Sequence, residues 1–147
     1  FKDQDSGQLI LTPYALEKRG QQLVLSLAER YPVSITENEV TTQLTKALFP
    51  ESEVTVIRRL PSTLFPKDER NVQKLTKVYE QITGLDGTPV TTTGATYARF
   101  MPNIVAFGPS FPGQKGIAHN QDEYMDEKDL LLNLEIYMQA MIALTEA

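Results

Sequence analysis

A proline-bounded segment at residues 61–66 divides this 147-residue chain into two stretches with different apolar patterns. The segment reads Pro-Ser-Thr-Leu-Phe-Pro, and proline can neither extend a helix nor donate a hydrogen bond to a sheet. Neither stretch is long enough for a large sheet flanked by helices, so each must be built from a few short elements. We therefore predict two domains, residues 1–62 and residues 63–147.

The first stretch predicts the element order ββαβ. Gln8–Leu16 and Gln21–Ala28 are rich in apolar residues, and the polar run between them ends in Gly20, which is typical of a hairpin. Thr36 can cap a helix in which apolar residues then recur at helical spacing. Glu53–Leu60 reads as a third strand. Together these elements predict a small antiparallel sheet with a helix on one face.

The second stretch predicts the order αββα, which makes the whole chain an α/β protein. A helix starts near Asp68 and ends at Gly84, Pro89–Thr93 and Ile104–Phe107 read as short strands, and Asp126–Ala147 reads as a long helix. The apolar spacing predicts which residues of the long helix are buried: Leu130, Leu134, Tyr137, Met138, Met141 and Ile142.

Composition excludes several functions. Fourteen basic residues are scattered among nineteen acidic ones, for a net charge of −5, whereas nucleic-acid binding needs clustered cations. No apolar run approaches the roughly 20 residues of a membrane helix. The chain has no cysteine, which removes thiol chemistry and disulfides and favours a cytoplasmic location. Because the first residue is Phe1 and not Met, we expect the chain to be a fragment of a longer protein.

The single histidine, His119, follows a glycine-rich loop and lies four residues before Glu123. An imidazole near carboxylates can bind zinc, and it can equally be a surface histidine. Arg30, at a predicted strand end, can bind a carboxylate or simply face solvent. The small residues of Gly94–Arg99, including Thr96, can admit a substrate backbone or form only a tight turn. These residues alone leave each choice open.

Three stretches, taken together, resemble the C-terminal part of bacterial metallodipeptidases of the Xaa-His, carnosinase-like type. The first is Leu23–Val33, which contains Arg30-Tyr31-Pro32. The second runs from Pro66 through the following helix to Gly94–Arg99, and the third from Val105 through the His119 segment to the last helix. These enzymes belong to a wider clan of zinc aminoacylases, carboxypeptidases and desuccinylases.

The resemblance implies specific roles for residues of this chain. Residues 1–62 would be the later part of a lid domain and residues 63–147 the closing part of a catalytic domain. His119 would be a metal ligand, and Arg30, Gly94 and Thr96 would bind the substrate. The metal would be a pair of zinc ions, with manganese or cobalt as alternatives, that activate a water molecule.

The resemblance also implies what this chain lacks. In such enzymes the remaining metal ligands and the general base come from the N-terminal half, so no catalytic residue is expected here and the isolated chain should be inactive. Its partners would be a dipeptide with a free carboxylate and the missing N-terminal half of the same protein, with self-association also expected. The family usually has a run of glycines where this chain has Thr93-Gly94-Ala95.

Two other functions remain open at this point. The chain could be a non-enzymatic, lid-like module that dimerises or binds peptides through exposed strand edges. Alternatively, its parent protein could hydrolyse acylated amino acids and not dipeptides. An in-frame His-x-Asp pair upstream of this chain would favour an enzyme over the non-enzymatic module.

Overall fold

A computed structural model describes residues 1–60, 62–92, 94–108, 110–114 and 117–146. Backbone contacts divide the chain into two units. The first is Phe1–Leu64 with Thr91–Gly94, and the second is Phe65–Val90 with Ala95–Ala147. The mixed α/β class is confirmed, because small sheets and helices both occur. The assignment of residues 1–62 to a lid domain and 63–147 to a catalytic domain stays a prediction.

The first unit begins with two antiparallel strand pairs. β1 (Lys2–Asp3) pairs with β2 (Gly7–Gln8), and β3 (Ile10–Arg19) pairs with β4 (Gln22–Arg30). The predicted hairpin is therefore confirmed; β3 continues to Arg19, beyond the expected Leu16, and β4 continues to Arg30, beyond the expected Ala28. Gly20 takes a φ of +64° at this turn, a left-handed conformation that glycine adopts without steric cost.

Helix α1 (Glu37–Ala47) follows the hairpin and begins at the predicted cap, Thr36. The Thr36 hydroxyl accepts a hydrogen bond from the Glu39 backbone N–H, and the Glu39 carboxylate accepts one from the Thr36 backbone N–H. This reciprocal pair satisfies two backbone donors. The hydrogen bonds from the backbone and the side chain of Thr36, of which the backbone bond has the larger effect, hold the pKa of Glu39 below its ordinary value. Val40 anchors the helix, with 1% of its surface exposed.

The second unit is built on two helices, α2 (Arg70–Thr83) and α3 (Glu127–Thr145), with a short 3₁₀ helix at Tyr97–Phe100 between them in sequence. Glu69 caps α2, and the helix ends at Gly84 as predicted, with Gly84 in the left-handed conformation. Apolar residues of the two helices pack together and form the core of this unit. Its buried members are Leu75, Val78, Ile136 and Ala140.

Three predicted strands are not formed among the residues that the structure describes. Glu53–Leu60 and Ile104–Phe107 have no strand partner, and neither has the described part of Pro89–Thr93, in which Thr93 lies outside the described residues. The predicted third strand of the first stretch and both predicted strands of the second stretch are therefore wrong as assignments. An apolar, extended sequence becomes a strand only when a neighbouring backbone pairs with it, and that neighbour is not a property of the segment.

The predicted buried face of α3 is also wrong. The helix packs against α2 through Ile136 and Ala140, whereas most of the residues expected inside face outward. We call this exposed set the outer face of α3; each member has 51–62% of its surface exposed: Leu130, Leu131, Leu134, Met138, Met141 and Ile142. Tyr137, also predicted to be buried, is half-buried. Because apolar residues surround this helix, spacing alone does not identify the side that packs. Over the described residues, none of the helices has the length and apolar character to span a membrane.

Candidate functional site

His119 lies in the second unit, in a turn before α3, and its side chain is exposed. Its φ is +63°, and Asp122 three residues later has a φ of +59°. Residues with a side chain avoid this left-handed region because the Cβ approaches the backbone, at a cost of about 1–2 kcal/mol each. Two such residues within one short turn show a local conformation that the surroundings must hold in place.

A carboxylate inside the turn helps to hold this conformation. Glu123 Oε2 accepts a hydrogen bond from the His119 backbone N–H at 3.0 Å, and Asn120 Nδ2 donates to the Ala118 carbonyl at 3.2 Å. The hydrogen bond of the Glu123 carboxylate is therefore to the backbone of His119 and not to its ring. The His119 side chain is therefore exposed to solvent in a turn whose backbone is held by two hydrogen bonds.

The segment leading into this turn is attached to both helices by aromatic contacts. The Tyr137 hydroxyl of α3 donates to the Phe107 carbonyl at 3.3 Å, and the two rings meet edge to face at 6.1 Å. Phe111 stacks on Tyr79 of α2 at 6.4 Å. Gly108 lies between these contacts with a φ of +71°, so close to the Tyr137 hydroxyl that a Cβ would not fit. The segment is thus fixed to the core at two points.

The residues that the structure describes do not form a complete zinc site. A structural or catalytic zinc ion takes at least three protein ligands, usually histidine, cysteine or carboxylate groups. Within the ranges that the structure describes, no group of three or more such residues is close enough together to hold a metal ion. Among these residues, His119 would therefore supply at most one ligand of such a site.

Arg30 occupies the last position of β4, in the first unit, opposite Ile10 in the strand register. The chain directly after it is firmly held. The Ser62 hydroxyl donates to the Tyr31 carbonyl at 2.7 Å, and Pro32 is completely buried. The Val33 backbone N–H donates to the Ser6 hydroxyl at 2.9 Å. The guanidinium is therefore carried by a strand end whose backbone has little freedom.

Ser6 is held in turn by Asp3. The Asp3 carboxylate accepts hydrogen bonds from the Ser6 backbone N–H at 2.5 Å and from its hydroxyl at 2.6 Å, which lowers the pKa of Asp3 well below its usual range. Sequence reasoning missed both Ser6 and Ser62. They lie 27 and 31 residues from the positions they bind, and an isolated serine carries no pattern that could reveal such a partner.

Gly94 and Thr96 lie on opposite sides of the division between units. Gly94 belongs to the first unit, as Arg30 does, and its backbone N–H donates to the Thr92 hydroxyl at 3.1 Å. Thr96 belongs to the second unit, as His119 does, and its hydroxyl caps the 3₁₀ helix by accepting from the Ala98 N–H at 3.2 Å. Both residues are exposed. Their substrate-binding roles stay predictions, as do those of Arg30 and His119.

The carboxylate of Glu29 lies near enough to that of Glu37 for their charges to interact. Glu29 precedes Arg30 in β4, and burial together with the nearby charge of Glu37 raises the pKa of Glu29, with burial the larger cause. Glu37 is itself bonded, because its carboxylate accepts from the Thr41 hydroxyl at 3.0 Å and pairs with Arg59 at 3.3 Å. Glu29 is thus the carboxylate of this pair whose charged form is disfavoured by the fold.

We expect Glu29→Gln to stabilise the first unit at pH 7 and to have no effect near pH 3.5. A raised pKa means that the folded chain keeps the Glu29 proton to higher pH than the unfolded chain, so stability is lost as pH rises above about 4. Glutamine removes that loss. The gain should stay below about 1 kcal/mol because Glu29 is only half-buried and the solvent that still reaches it weakens the effect.

Thermal unfolding of the parent and the variant at the two pH values measures this difference. The matched control is Glu17→Gln on the same hairpin. The Glu17 carboxylate pairs with Arg19 at 2.7 Å, so this variant should be less stable than the parent at pH 7. A Glu29→Gln variant that unfolds at a lower temperature than the parent at pH 7 would contradict the unfavourable environment assigned to Glu29.

Comparison with known proteins identifies the family. Residues 4–143 match the sequence profile described as Peptidase family M20/M25/M40. "Putative dipeptidase YtjP" of Bacillus subtilis is 34% identical over 146 residues, which is 99% of this chain and 31% of that protein. A protein of Staphylococcus haemolyticus, also named a putative dipeptidase, is 31% identical over 86% of this chain and 27% of its own length.

A third relative carries a more specific name. The "Beta-Ala-Xaa dipeptidase" of Lactobacillus delbrueckii subsp. lactis is 38% identical over 81 residues, which is 55% of this chain and 17% of that protein. The chain thus spans less than a third of the length of each of these relatives. Because the family profile covers nearly all of its residues, the chain belongs to peptidase family M20/M25/M40.

Proposed function

We propose that this chain is part of a metal-dependent dipeptidase that hydrolyses the peptide bond of dipeptides. The observation that carries the proposal is the similarity along 99% of the chain to the protein named "Putative dipeptidase YtjP". The strained, exposed His119 turn supports it, because an unfavourable backbone conformation in a solvent-facing turn is typical of functional sites.

In this proposal His119 is one ligand of a metal centre whose other ligands lie outside this chain. Zinc is the metal we propose, as a pair of ions that activate the attacking water, and manganese and cobalt accept similar donors. An imidazole on an exposed turn suits this role because its ring nitrogens are not enclosed by the fold. The general base also lies outside this chain, so we assign no catalytic residue within it.

Arg30 is proposed to bind the free carboxylate of the dipeptide. A guanidinium stays charged at all relevant pH values and offers parallel donors to the two carboxylate oxygens. The backbone after Arg30 is held by Ser62 and by the burial of Pro32, which limits the entropy lost when the side chain binds. Gly94 and Thr96 are proposed to line the substrate path, and both are exposed.

We also propose that the chain is a fragment of a longer protein, because part of its surface is suited to contact with additional polypeptide. The outer face of α3 exposes six large apolar side chains, and solvent-exposed apolar patches of this kind mark interaction sites. The chain spans 31% of the length of YtjP, so its relatives contain additional chain that could cover such a face. The domains 1–62 and 63–147 would then be parts of a lid and of a catalytic domain, in a cytoplasmic enzyme.

We expect the isolated 147-residue chain to be inactive on dipeptides, with or without added zinc or manganese. One imidazole cannot hold two metal ions, so no activated water would form. The test is an assay of the purified chain on β-alanyl and α-linked dipeptides with each metal. Turnover that His119→Asn abolishes would contradict the proposal that the other ligands lie elsewhere.

The alternative, a non-enzymatic module, is favoured by one observation in the first unit. The β3–β4 hairpin exposes Leu16, Leu23 and Leu25, and Leu16 lies opposite Leu25 in the register. An apolar hairpin surface of this kind could bind a peptide or a second copy of the chain. The length of the encoding reading frame separates the two functions: an upstream His-x-Asp pair supports the enzyme, and a start codon directly before Phe1 supports the module.

A further inference from the structure

A glutamine five residues before His119 makes three hydrogen bonds, two to Phe111 and one to Asp129. The Gln114 side-chain oxygen accepts from the Phe111 backbone N–H at 2.9 Å, and its backbone N–H donates to the Phe111 carbonyl at 3.2 Å. Its side-chain nitrogen donates to Asp129 Oδ2 at 2.5 Å. Gln114 and Asp129 are both half-buried, so the bond to the carboxylate competes with little water.

The bond to Asp129 differs from the other two because it closes a loop. Gln114 and Asp129 stand at the two ends of residues 115–128, the segment that contains His119, and Lys115 and Gly116 within it lie outside the described residues. Asp129 lies in the first turn of α3, and its partner is on the incoming chain. Fixing both ends of a loop reduces the number of conformations that it can adopt.

We infer that Gln114 is a positioning residue for His119, acting through its hydrogen bond to Asp129. The His119 turn needs an outside constraint, since His119 and Asp122 both hold left-handed conformations that an unrestrained chain would leave. The Glu123 bond to the His119 N–H acts within the turn, and the Gln114–Asp129 bond joins the chain before the turn to the first turn of α3. The inference concerns the backbone of the turn; its consequence for metal binding rests on the proposed function.

The turn between Phe111 and Gln114 does not need the bond to Asp129. The two bonds between Gln114 and Phe111 already close that turn, and Phe111 is held independently by stacking on Tyr79. A carboxylate in the first turn of a helix usually faces the free backbone N–H groups of that helix. Here the Asp129 carboxylate bonds instead to a side chain that precedes the His119 segment.

Exchanging the amide and the carboxylate tests this inference on the purified 147-residue chain. Gln114→Glu places two carboxylates together at pH 7 and breaks the bond. Because a hydrogen bond to a charged group is lost and two negative charges are brought together, we expect amide hydrogen exchange at His119 to accelerate about tenfold or more. Adding Asp129→Asn to this variant restores an amide donor opposite a carboxylate and should return the exchange rate close to that of the parent.

The matched control is Gln139→Glu, at an exposed position of α3, which should leave exchange at His119 unchanged. Unchanged exchange at His119 in Gln114→Glu would overturn the inference. So would an equal acceleration at α2 amides, which means general unfolding, or a double variant that stays as fast as the single one. If Gln114→Glu alone fails to fold, the double variant decides the question. Its restored amide–carboxylate pair must recover both the fold and the slow exchange at His119.

The failure of the proposed function is distinguishable from the failure of this inference. In the product of the full reading frame, zinc content is measured for the parent and for Gln114→Glu. If exchange at His119 accelerates while zinc content stays the same, Gln114 positions the turn as inferred and the metal role of His119 is contradicted. If exchange accelerates and zinc is lost, both are supported.

Discussion

Arg30→Met in the product of the full reading frame is expected to lower kcat/KM for a dipeptide by about 30- to 1,000-fold, which corresponds to about 2–4 kcal/mol. A charged contact to the substrate carboxylate, removed from water in the complex, is the source of this loss. Methionine keeps an unbranched apolar side chain similar to the aliphatic stem of arginine and removes the guanidinium. Arg30 is at the last position of β4, so the strand itself should be unaffected.

The measurement compares a dipeptide with its C-terminal amide in both proteins. A dipeptidase must recognise the free carboxylate near the scissile bond, so the parent should prefer the acid and Arg30→Met should lose most of that preference. The matched control is Arg19→Met at the end of β3, where the arginine pairs with Glu17 on the exposed hairpin. An Arg30→Met protein that still prefers the acid as strongly as the parent would show that Arg30 does not bind the carboxylate.

His119→Asn in the same protein is expected to reduce bound zinc to about one ion per chain and to lower turnover at least about 100-fold. Asparagine is chosen because it tolerates the left-handed conformation that His119 adopts at a φ of +63°. An alanine at this position would add backbone strain to the loss of the imidazole, and the two effects could not be separated.

Elemental analysis gives the metal content, and thermal unfolding of the metal-free protein shows that the fold is retained. Asp122→Asn is the matched control, because Asp122 has nearly the same backbone conformation in the same turn at a φ of +59°. It should keep both ions. Full metal occupancy in His119→Asn would refute the ligand role, whereas an equal loss in both variants would point to a disturbed turn and not to a lost ligand.

The helices and the hairpin could be predicted from the sequence because their signals are local. Thr36 with Glu39, and Gly84 at the end of α2, act within a few residues of the backbone groups that they satisfy. The β3–β4 hairpin similarly depends on neighbouring residues and on Gly20 at the turn. The candidate residues were also recognisable in sequence, because His119 and Arg30 stand in motifs similar to those of a known family.

The features that could not be predicted depend on distant partners. Glu53–Leu60 and Ile104–Phe107 have the composition of strands, and the described structure offers them no neighbouring backbone. The packing side of α3 was decided by α2, since apolar residues occur around the whole helix and their spacing fits more than one face. In both cases the deciding contact lies far away in sequence.

The same distinction holds at the candidate site. The sequence by itself determined that one imidazole and one guanidinium are available at a loop and at a strand end, because these are chemical properties of His119 and Arg30. Only the tertiary structure decided how they are held: Ser62 bonds beside Arg30, and Gln114 with Asp129 closes the segment that contains His119. Hydrogen bonds between residues far apart in the chain depend on the folded path that brings them together, and no local pattern specifies that path.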